Sequence, residues 1–454
     1  MSPTPALRGL APPPHDEPVC RAPVELPASK SMVIRALLAA HDATEPVRIL
    51  GRLAGQDVGH AVGAVRALGS DVSVSEWEAE VAPRRRPAAA EVQVGESGTL
   101  ARLVTGLLGA EEGDERVVAG SGTLHRRRSG PLFQALRDAG VGVRHLEAGD
   151  AWPAAIRGVP GVLRFEITDP LSSQEVSALL LALAQGEGDR RVIVNGAIPS
   201  RPYLEMTRRM LATFGWRTQS ERRGEREILR MAGAASGGRT VSCEPDASLA
   251  AVVLAAGAIL GRPALLSPLD PETLQGDARI VEHLRAFGCP VWHQPETGWL
   301  TAGGPPTQGA TLDLSGEPDL APVLAAVAAA VCLRKGAASK LTGLETLPGK
   351  ESDRLRGIAR ALEAVGLRVE THAEPGEAWL TLAPGPYAGG GAETVELDAR
   401  EDHRMVFLHG LLGLARGGGV ISRGAEAVAK SWPDFWGQMK RLGCRVVEPT
   451  APGV

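Results

Sequence analysis

Lysine is nearly missing from this chain of 454 residues: six lysines stand beside 43 arginines. Arginine serves as well as lysine on a solvated surface, but it cannot replace a compact ammonium whose pKa can be moved, so the few lysines retained are candidates for chemistry. Three of them lie in short polar motifs: Pro27-Ala-Ser-Lys30-Ser, Pro348-Gly-Lys350-Glu-Ser-Asp-Arg354 and Ala429-Lys430-Ser-Trp-Pro. Lys335, Lys340 and Lys440 read as surface residues. Cysteine is also scarce. The five cysteines are far apart, odd in number and form no CxxC pair, which excludes a disulfide framework and a cysteine zinc site. The ten histidines show no HExxH spacing, so no metal is expected. The longest apolar run, Leu320–Leu333, is too short to cross a bilayer, and residues 1–20 are Pro-rich without an apolar signal core. Those first twenty residues read as disordered by default.

A formal net charge of −4 argues against nucleic acid and anionic membranes as partners, so any anion site has to be built locally. Apolar content of 44% and charged content of 22% are those of a soluble globular protein, here expected to be cytoplasmic and to have two to four domains.

What the chain does contain is a sixfold rhythm. An amphipathic helix ending in an apolar residue and then glycine recurs at Gly69, Gly140, Gly215, Gly288, Gly366 and Gly443. Each glycine reads as the left-handed C′ residue of a helix, and a β-like stretch follows most of them. The interval is too long for a solenoid and suits a unit of two helices and several strands. Asp246–Leu260, near the middle, restarts the opening pattern, so the six units divide into two domains of three.

The polar motifs share one placement, each just ahead of an apolar helical run. Ser29-Lys30-Ser31 precedes Met32, Glu96-Ser-Gly98-Thr99 precedes Leu100, and Ser172-Ser173-Gln174-Glu175 (a capping-box spacing) precedes Val176. Ser200-Arg-Pro-Tyr203, Pro318-Asp319, Lys350-Glu351-Ser-Asp-Arg354, Asp402-His403-Arg404 and Lys430-Ser431 lead into further runs, the last into Trp432-Pro-Asp-Phe. A helix N-terminus offers unpaired N–H groups and the positive end of a dipole, so it suits an anion. Cations in that first turn oppose the dipole, which makes sense if an anion lies between. Near-matches to other motifs fail. Gly343–Gly349-Lys350 has five residues between its glycines and Glu after Lys, where a phosphate-binding P-loop needs four and a hydroxyl residue. No GxGxxG follows a strand, and no GxSxG occurs.

Taken in order from about Pro23 to Leu442, these motifs resemble the EPSP synthase (3-phosphoshikimate 1-carboxyvinyltransferase) family. The resemblance implies a two-domain inside-out α/β barrel of six βαβαββ units, three per domain, with the active site in the interdomain cleft. The domain edges it implies are 29–245 for the first domain, and 1–28 with 246–454 for the second. It also implies transfer of the enolpyruvyl group of phosphoenolpyruvate to the 5-hydroxyl of shikimate 3-phosphate by addition–elimination, with no cofactor and as a monomer.

By the same resemblance, Asp319 is the base at the hydroxyl, Glu351 carries the proton for the methylene, and Lys30 spans both substrates. Ser31, Arg35, Ser172, Ser173, Gln174, Ser200, Asp319 and Lys350 hold shikimate 3-phosphate. Gly98, Arg127, Gln174, Arg354, Arg404 and Lys430 hold phosphoenolpyruvate. His403 and Tyr203 support the site, and Asp246 lies at an interdomain crossing. The chain departs from the family pattern at Glu96, where many members have Asn, at Arg128 after Arg127, which leaves the choice among Arg126, Arg127 and Arg128 open, at Thr346 and at Leu103. Glu96 beside an anion pocket needs an unusual pairing or pKa. Gly98 is the small residue of glyphosate-sensitive members, so competition between glyphosate and phosphoenolpyruvate is expected. Rival readings are the related UDP-N-acetylglucosamine transferase, whose Lys-Asn pair is Lys30-Ser31 here, a transferase for another phosphorylated cyclic alcohol, and a non-catalytic homologue.

Overall fold

A computed structural model of the chain describes residues 5–13, 23–84, 88–159, 164–186, 188–235, 238–266, 269–270, 272–294, 299–302, 304–385 and 393–448. Cys20 and much of the Pro-rich start lie outside these residues. Twelve α-helices are seen among them: α1 (Lys30–His41), α2 (Gln56–Ala67), α3 (Gly98–Ala110), α4 (Gly130–Asp138), α5 (Ser173–Leu183), α6 (Arg201–Thr213), α7 (Ala247–Leu260), α8 (Ile280–Ala286), α9 (Ala321–Lys335), α10 (Arg354–Ala364), α11 (His403–Arg416) and α12 (Phe435–Arg441). None is long and apolar enough to cross a membrane.

The helices alternate in character because the sequence does. The odd-numbered ones carry too few charges to face water: α7 is buried from Ala247 to Ile259, α9 from Ala321 to Cys332 and α11 from His403 to Ala415. A helix apolar on all sides belongs in a core, and each fully buried aliphatic side chain contributes about 1.5–3 kcal/mol. The even-numbered helices are amphipathic. α6 and α10 bury one face only, with apolar positions such as Leu355, Ile358 and Leu362 on it.

Each even-numbered helix ends alike. Gly69, Gly140, Gly215, Gly288, Gly366 and Gly443 all stand at C′ with φ between 74° and 107°, a region where a Cβ is strained. The six-part rhythm is therefore a repeated helix stop. Each repeat adds a small sheet. Around α3, strands Glu91–Gln93 and Arg116–Ala119 pair in parallel, and Ala154–Arg157 with Gly142–His145 completes the sheet antiparallel. The same arrangement surrounds α5 and α9.

Two repeats take a parallel backbone partner from elsewhere in the chain. Val47–Leu50 pairs in parallel with Thr240–Ser242, and Val24 bridges Leu266 in parallel. The chain accordingly forms two compact units, Ala28–Glu244 and Met1–Pro27 with Pro245–Val454, three repeats in each. The default of disorder for residues 1–20 is corrected over Leu7–Ala11, a strand paired antiparallel with both Val420–Arg423 and Arg445–Val447. A short Leu-Arg-Gly-Leu-Ala stretch gives little local signal. Its partners lie more than 400 residues away and supply the ladder that keeps it ordered.

Candidate active site

Most of the polar motifs stand at helix N-termini, five of them on the buried odd-numbered helices and those at Ser200 and Arg354 on the amphipathic α6 and α10. In the unit Ala28–Glu244, Lys30 opens α1, Gly98 opens α3 and Ser173 opens α5. Ser97 accepts from the Leu100 N–H, and Ser172 from the Gln174 N–H at 3.2 Å, as N-caps do. Glu175 reaches back to the Leu171 N–H at 2.7 Å and also accepts the Ser129 hydroxyl at 2.5 Å. The capping residue thus ties α5 to the turn before α4.

Arg102 is the knot of this group of motifs. Its guanidinium donates to Ser129 Oγ at 3.1 Å, to the Gly98 carbonyl at 3.1 Å, to Gln174 Oε1 at 3.2 Å and to the Arg128 carbonyl at 3.0 Å. One buried side chain therefore joins three motifs that lie tens of residues apart. Gly98 has a second reason to be glycine. A Cβ there would fall 2.4 Å from Arg127 Cζ, so Arg127 is packed flat against the start of α3. Arg127 is buried while Arg126 and Arg128 are exposed. The Glu96 carboxylate accepts from Thr123 Oγ1 at 2.9 Å.

Lys30 Nζ lies 3.0 Å from the Asp57 carboxylate, in the first turn of α2. Asp57 was not singled out by the sequence; an Asp opening a helix reads only as a favourable dipole partner. Arg35 is 1% exposed and donates to Thr207 Oγ1 at 2.7 Å, to the Ser31 carbonyl at 2.8 Å and to the Tyr203 carbonyl at 3.4 Å. Burial pushes its pKa down to about 10. Ser200, at the start of α6, holds a left-handed φ of 52°.

The other unit gathers charge more densely. Asp319, in a 3-10 turn just before α9, receives Arg354 Nη1 at 2.8 Å and has Lys350 Nζ at 3.1 Å and Arg404 Nη2 at 3.2 Å. Burial alone would raise the Asp319 carboxyl, but Arg404, Lys350 and Arg354 override it and hold it well below the usual carboxylate range. Burial lowers the Lys350 ammonium from its ordinary value while Asp319 pulls it back up. Arg354 also binds Glu351 Oε2 at 2.6 Å and both oxygens of Asp402, at 2.8 and 3.1 Å. Burial opposes its charge, yet Asp402, Glu351 and Asp319 raise its pKa. Asp402 in turn caps α11 by accepting the Arg404 N–H at 3.0 Å.

The buried ring of His403 stands edge-on to Phe407, with Nδ1 3.9 Å from Asp402 Oδ1. Asp246 spends one carboxylate oxygen capping α7, on the N–H groups of Ser248 at 2.9 Å and Leu249 at 3.2 Å. One motif placement is corrected. Lys430 does not open a helix; it ends a 3-10 turn, Ala425–Lys430, and α12 begins only at Phe435. Pro433 disfavours the helical conformation for the residue before it, so the helix waits for Asp434.

Sequence reasoning missed Asp57, Ser248, Asp277 and Glu317. Asp277 is buried, its carboxyl accepts the Ser248 hydroxyl, and Ser248 Oγ accepts from Arg404 Nη2 at 3.1 Å. The acid after Gln275-Gly was the signal available for Asp277; Glu317 differed from a surface acid in nothing local.

Comparison with known proteins places the chain in a family. A family model described as EPSP synthase (3-phosphoshikimate 1-carboxyvinyltransferase) matches residues 18–439. The chain is 31% identical to a 3-phosphoshikimate 1-carboxyvinyltransferase of Methanocella arvoryzae, over 93% of this chain and 96% of that one. It is 34% identical to one of Methanopyrus kandleri, covering 94% and 97%. In fold it is similar to an EPSP synthase from Acinetobacter baumannii, with a TM-score of 0.74 at 23% identity over 98% of this chain and 100% of the other.

Proposed function

The chain belongs to the EPSP synthase family, and from that premise we propose which of its side chains carry the reaction. It transfers the enolpyruvyl group of phosphoenolpyruvate to the 5-hydroxyl of shikimate 3-phosphate and releases phosphate, a step of the shikimate pathway of aromatic amino acid biosynthesis. The observation that carries the assignment of roles is the Asp319 cluster: one carboxylate among Lys350, Arg354 and Arg404, with Glu351 on the same arginine.

Addition to C2 of the enol requires a base for the attacking hydroxyl, an acid for the methylene carbon and cations for the phosphate and carboxylate. Asp319 is the base. An incoming anion that takes over Arg404 or Lys350 removes the charges that depress its pKa, and its proton affinity rises as substrate binds. Glu351 carries the methylene proton, giving it to C3 as the hydroxyl adds and taking one back from C3 as phosphate leaves with the proton held by Asp319, and Arg354 keeps the Glu351 carboxyl in line. Arg127, Arg354, Arg404, Lys430 and the Gly98 backbone hold phosphoenolpyruvate. Ser31, Ser172, Ser173, Gln174, Ser200 and Lys350 hold shikimate 3-phosphate, and Arg35 joins them through the Ser31 carbonyl. Lys30 serves both substrates, and Gln174 also reaches phosphoenolpyruvate. His403 and Tyr203 support these groups.

The protein acts in the cytoplasm and as a monomer, and light scattering of the purified chain checks the oligomeric state. The activity is tested by following phosphate release from phosphoenolpyruvate, with and without shikimate 3-phosphate. Release that needs both substrates and falls by about 10²–10⁴ in Asp319→Ala supports the assignment; undiminished release in Asp319→Ala and Glu351→Ala would overturn it.

A further inference from the structure

We infer that the segment Gln275–His283 is a positioning element for Asp319 and Arg404, acting on the first through Glu317 and on the second through Asp277 and Ser248. The inference rests on the roles proposed above for Asp319 and Arg404.

Glu317 has no solvent exposure and stands two residues before Asp319. A carboxylate taken out of water is costly unless its oxygens are paired. Here they are. Oε1 is 2.7 Å from His283 Nε2 and 2.9 Å from Arg279 Nη1, and Oε2 is 3.1 Å from the same Arg279 nitrogen. The Glu317 backbone is pinned as well: its N–H donates to the Leu314 carbonyl at 3.1 Å, and its carbonyl accepts the Leu320 N–H at 3.0 Å. That second bond spans the turn on which Asp319 is carried.

Arg279 and His283 are one helical turn apart, where the 3-10 turn Gly276–Arg279 runs into α8. The same 3-10 turn carries Asp277, whose carboxyl accepts a hydrogen bond from the Ser248 hydroxyl. Ser248 Oγ then accepts from Arg404 Nη2, using a hydroxyl once as donor and once as acceptor. Gln275 binds the segment to the start of α7 through the Pro245 carbonyl at 2.8 Å and the Ala247 N–H at 3.0 Å. Arg404 closes the circuit, with Nη1 3.1 Å from the Asp319 carbonyl oxygen and Nη2 3.2 Å from its carboxylate.

The circuit has a physical purpose. Three cations pull on the Asp319 carboxylate, and a base must point at its proton more than at its counter-ions. Anchoring the turn from behind, on a buried ion pair, resists that pull. A misplacement of about 1 Å is enough to cost on the order of 10²-fold in rate. Glu317 and His283 therefore act on kcat through Asp319 and touch neither substrate.

The test compares His283→Ala, His283→Gln and Glu317→Gln with the unaltered chain, measuring kcat, both KM values and thermal unfolding. His283→Ala is expected to lower kcat about 10–100-fold with both KM values within about threefold, and His283→Gln, which keeps a donor, to restore much of it. In an Asp319→Asn background the His283→Ala loss should vanish, because the two act in one step. A kcat within about twofold of the unaltered chain in folded His283→Ala overturns the inference, as does a loss that persists in full in the Asp319→Asn background. Should Glu317→Gln fail to fold, His283→Ala decides alone. Asp319→Asn by itself keeps the two readings apart: full activity there sinks the assignment of Asp319, whereas lost activity with an indifferent His283→Ala sinks only the positioning role.

Discussion

Arg354 Nε and Asp402 Oδ2 stand 2.8 Å apart with both side chains at or below 1% exposure. The pair joins the start of α10 to the start of α11, and Asp402 also accepts the Ser352 hydroxyl at 3.0 Å. Breaking a buried pair from one side strands a charge away from water. Asp402→Ala is therefore expected to destabilise its unit by about 3–5 kcal/mol, read by denaturant unfolding. Loss of the α11 cap is part of the same effect.

Gly98→Ala addresses the phosphoenolpyruvate set. The added Cβ would overlap the Arg127 guanidinium, which has to swing away. Loss of one charge-assisted contact corresponds to about 10–100-fold in kcat/KM for phosphoenolpyruvate. The KM for shikimate 3-phosphate should move little. Glyphosate is expected to compete with phosphoenolpyruvate in the unaltered chain and to bind more weakly in this variant. Inhibition kinetics at varied phosphoenolpyruvate check both; a non-competitive pattern counts against the shared pocket.

Lys30 and Asp57 offer a test of a contact invisible in the motifs. Asp57→Asn leaves the ammonium without its carboxylate partner at 3.0 Å and is expected to lower kcat/KM about tenfold. A wild-type value would show that Asp57 serves only helix α2.

Acid stability should report His409. Its ring is buried beside Ser422 Oγ at 2.8 Å, and burial pushes its pKa down from 6.5 to about 3. A depressed folded-state pKa contributes stability above the unfolded value that disappears as pH falls. The loss should begin near pH 6.5, continue to about pH 3 and amount to something on the order of 5 kcal/mol. His409→Gln should flatten that limb in unfolding measured against pH.

The six helix stops were legible because each needs only a glycine after an apolar helical face, a signal contained in one turn of chain. Capping motifs were legible for the same reason, and so was the family they compose in order. Lys430 shows where local reading slipped, since an apolar aromatic run looked helical and one proline delayed the helix by several residues. The strand Leu7–Ala11 could not be read at all, because its ladder partners come from the far end of the chain.

By itself the sequence determined the repeat, most of the helix starts and the family that the motifs compose in order. Only the tertiary structure decided how those groups are held: Lys30 on Asp57, Arg354 between Asp319 and Asp402, Arg404 on Ser248, and Glu317 sealed behind Asp319 on His283 and Arg279. Secondary-structure signals are short-range and repeat along the chain. The pairing of buried charges depends on distance through space, and residues tens to more than a hundred positions apart carry no local mark of it.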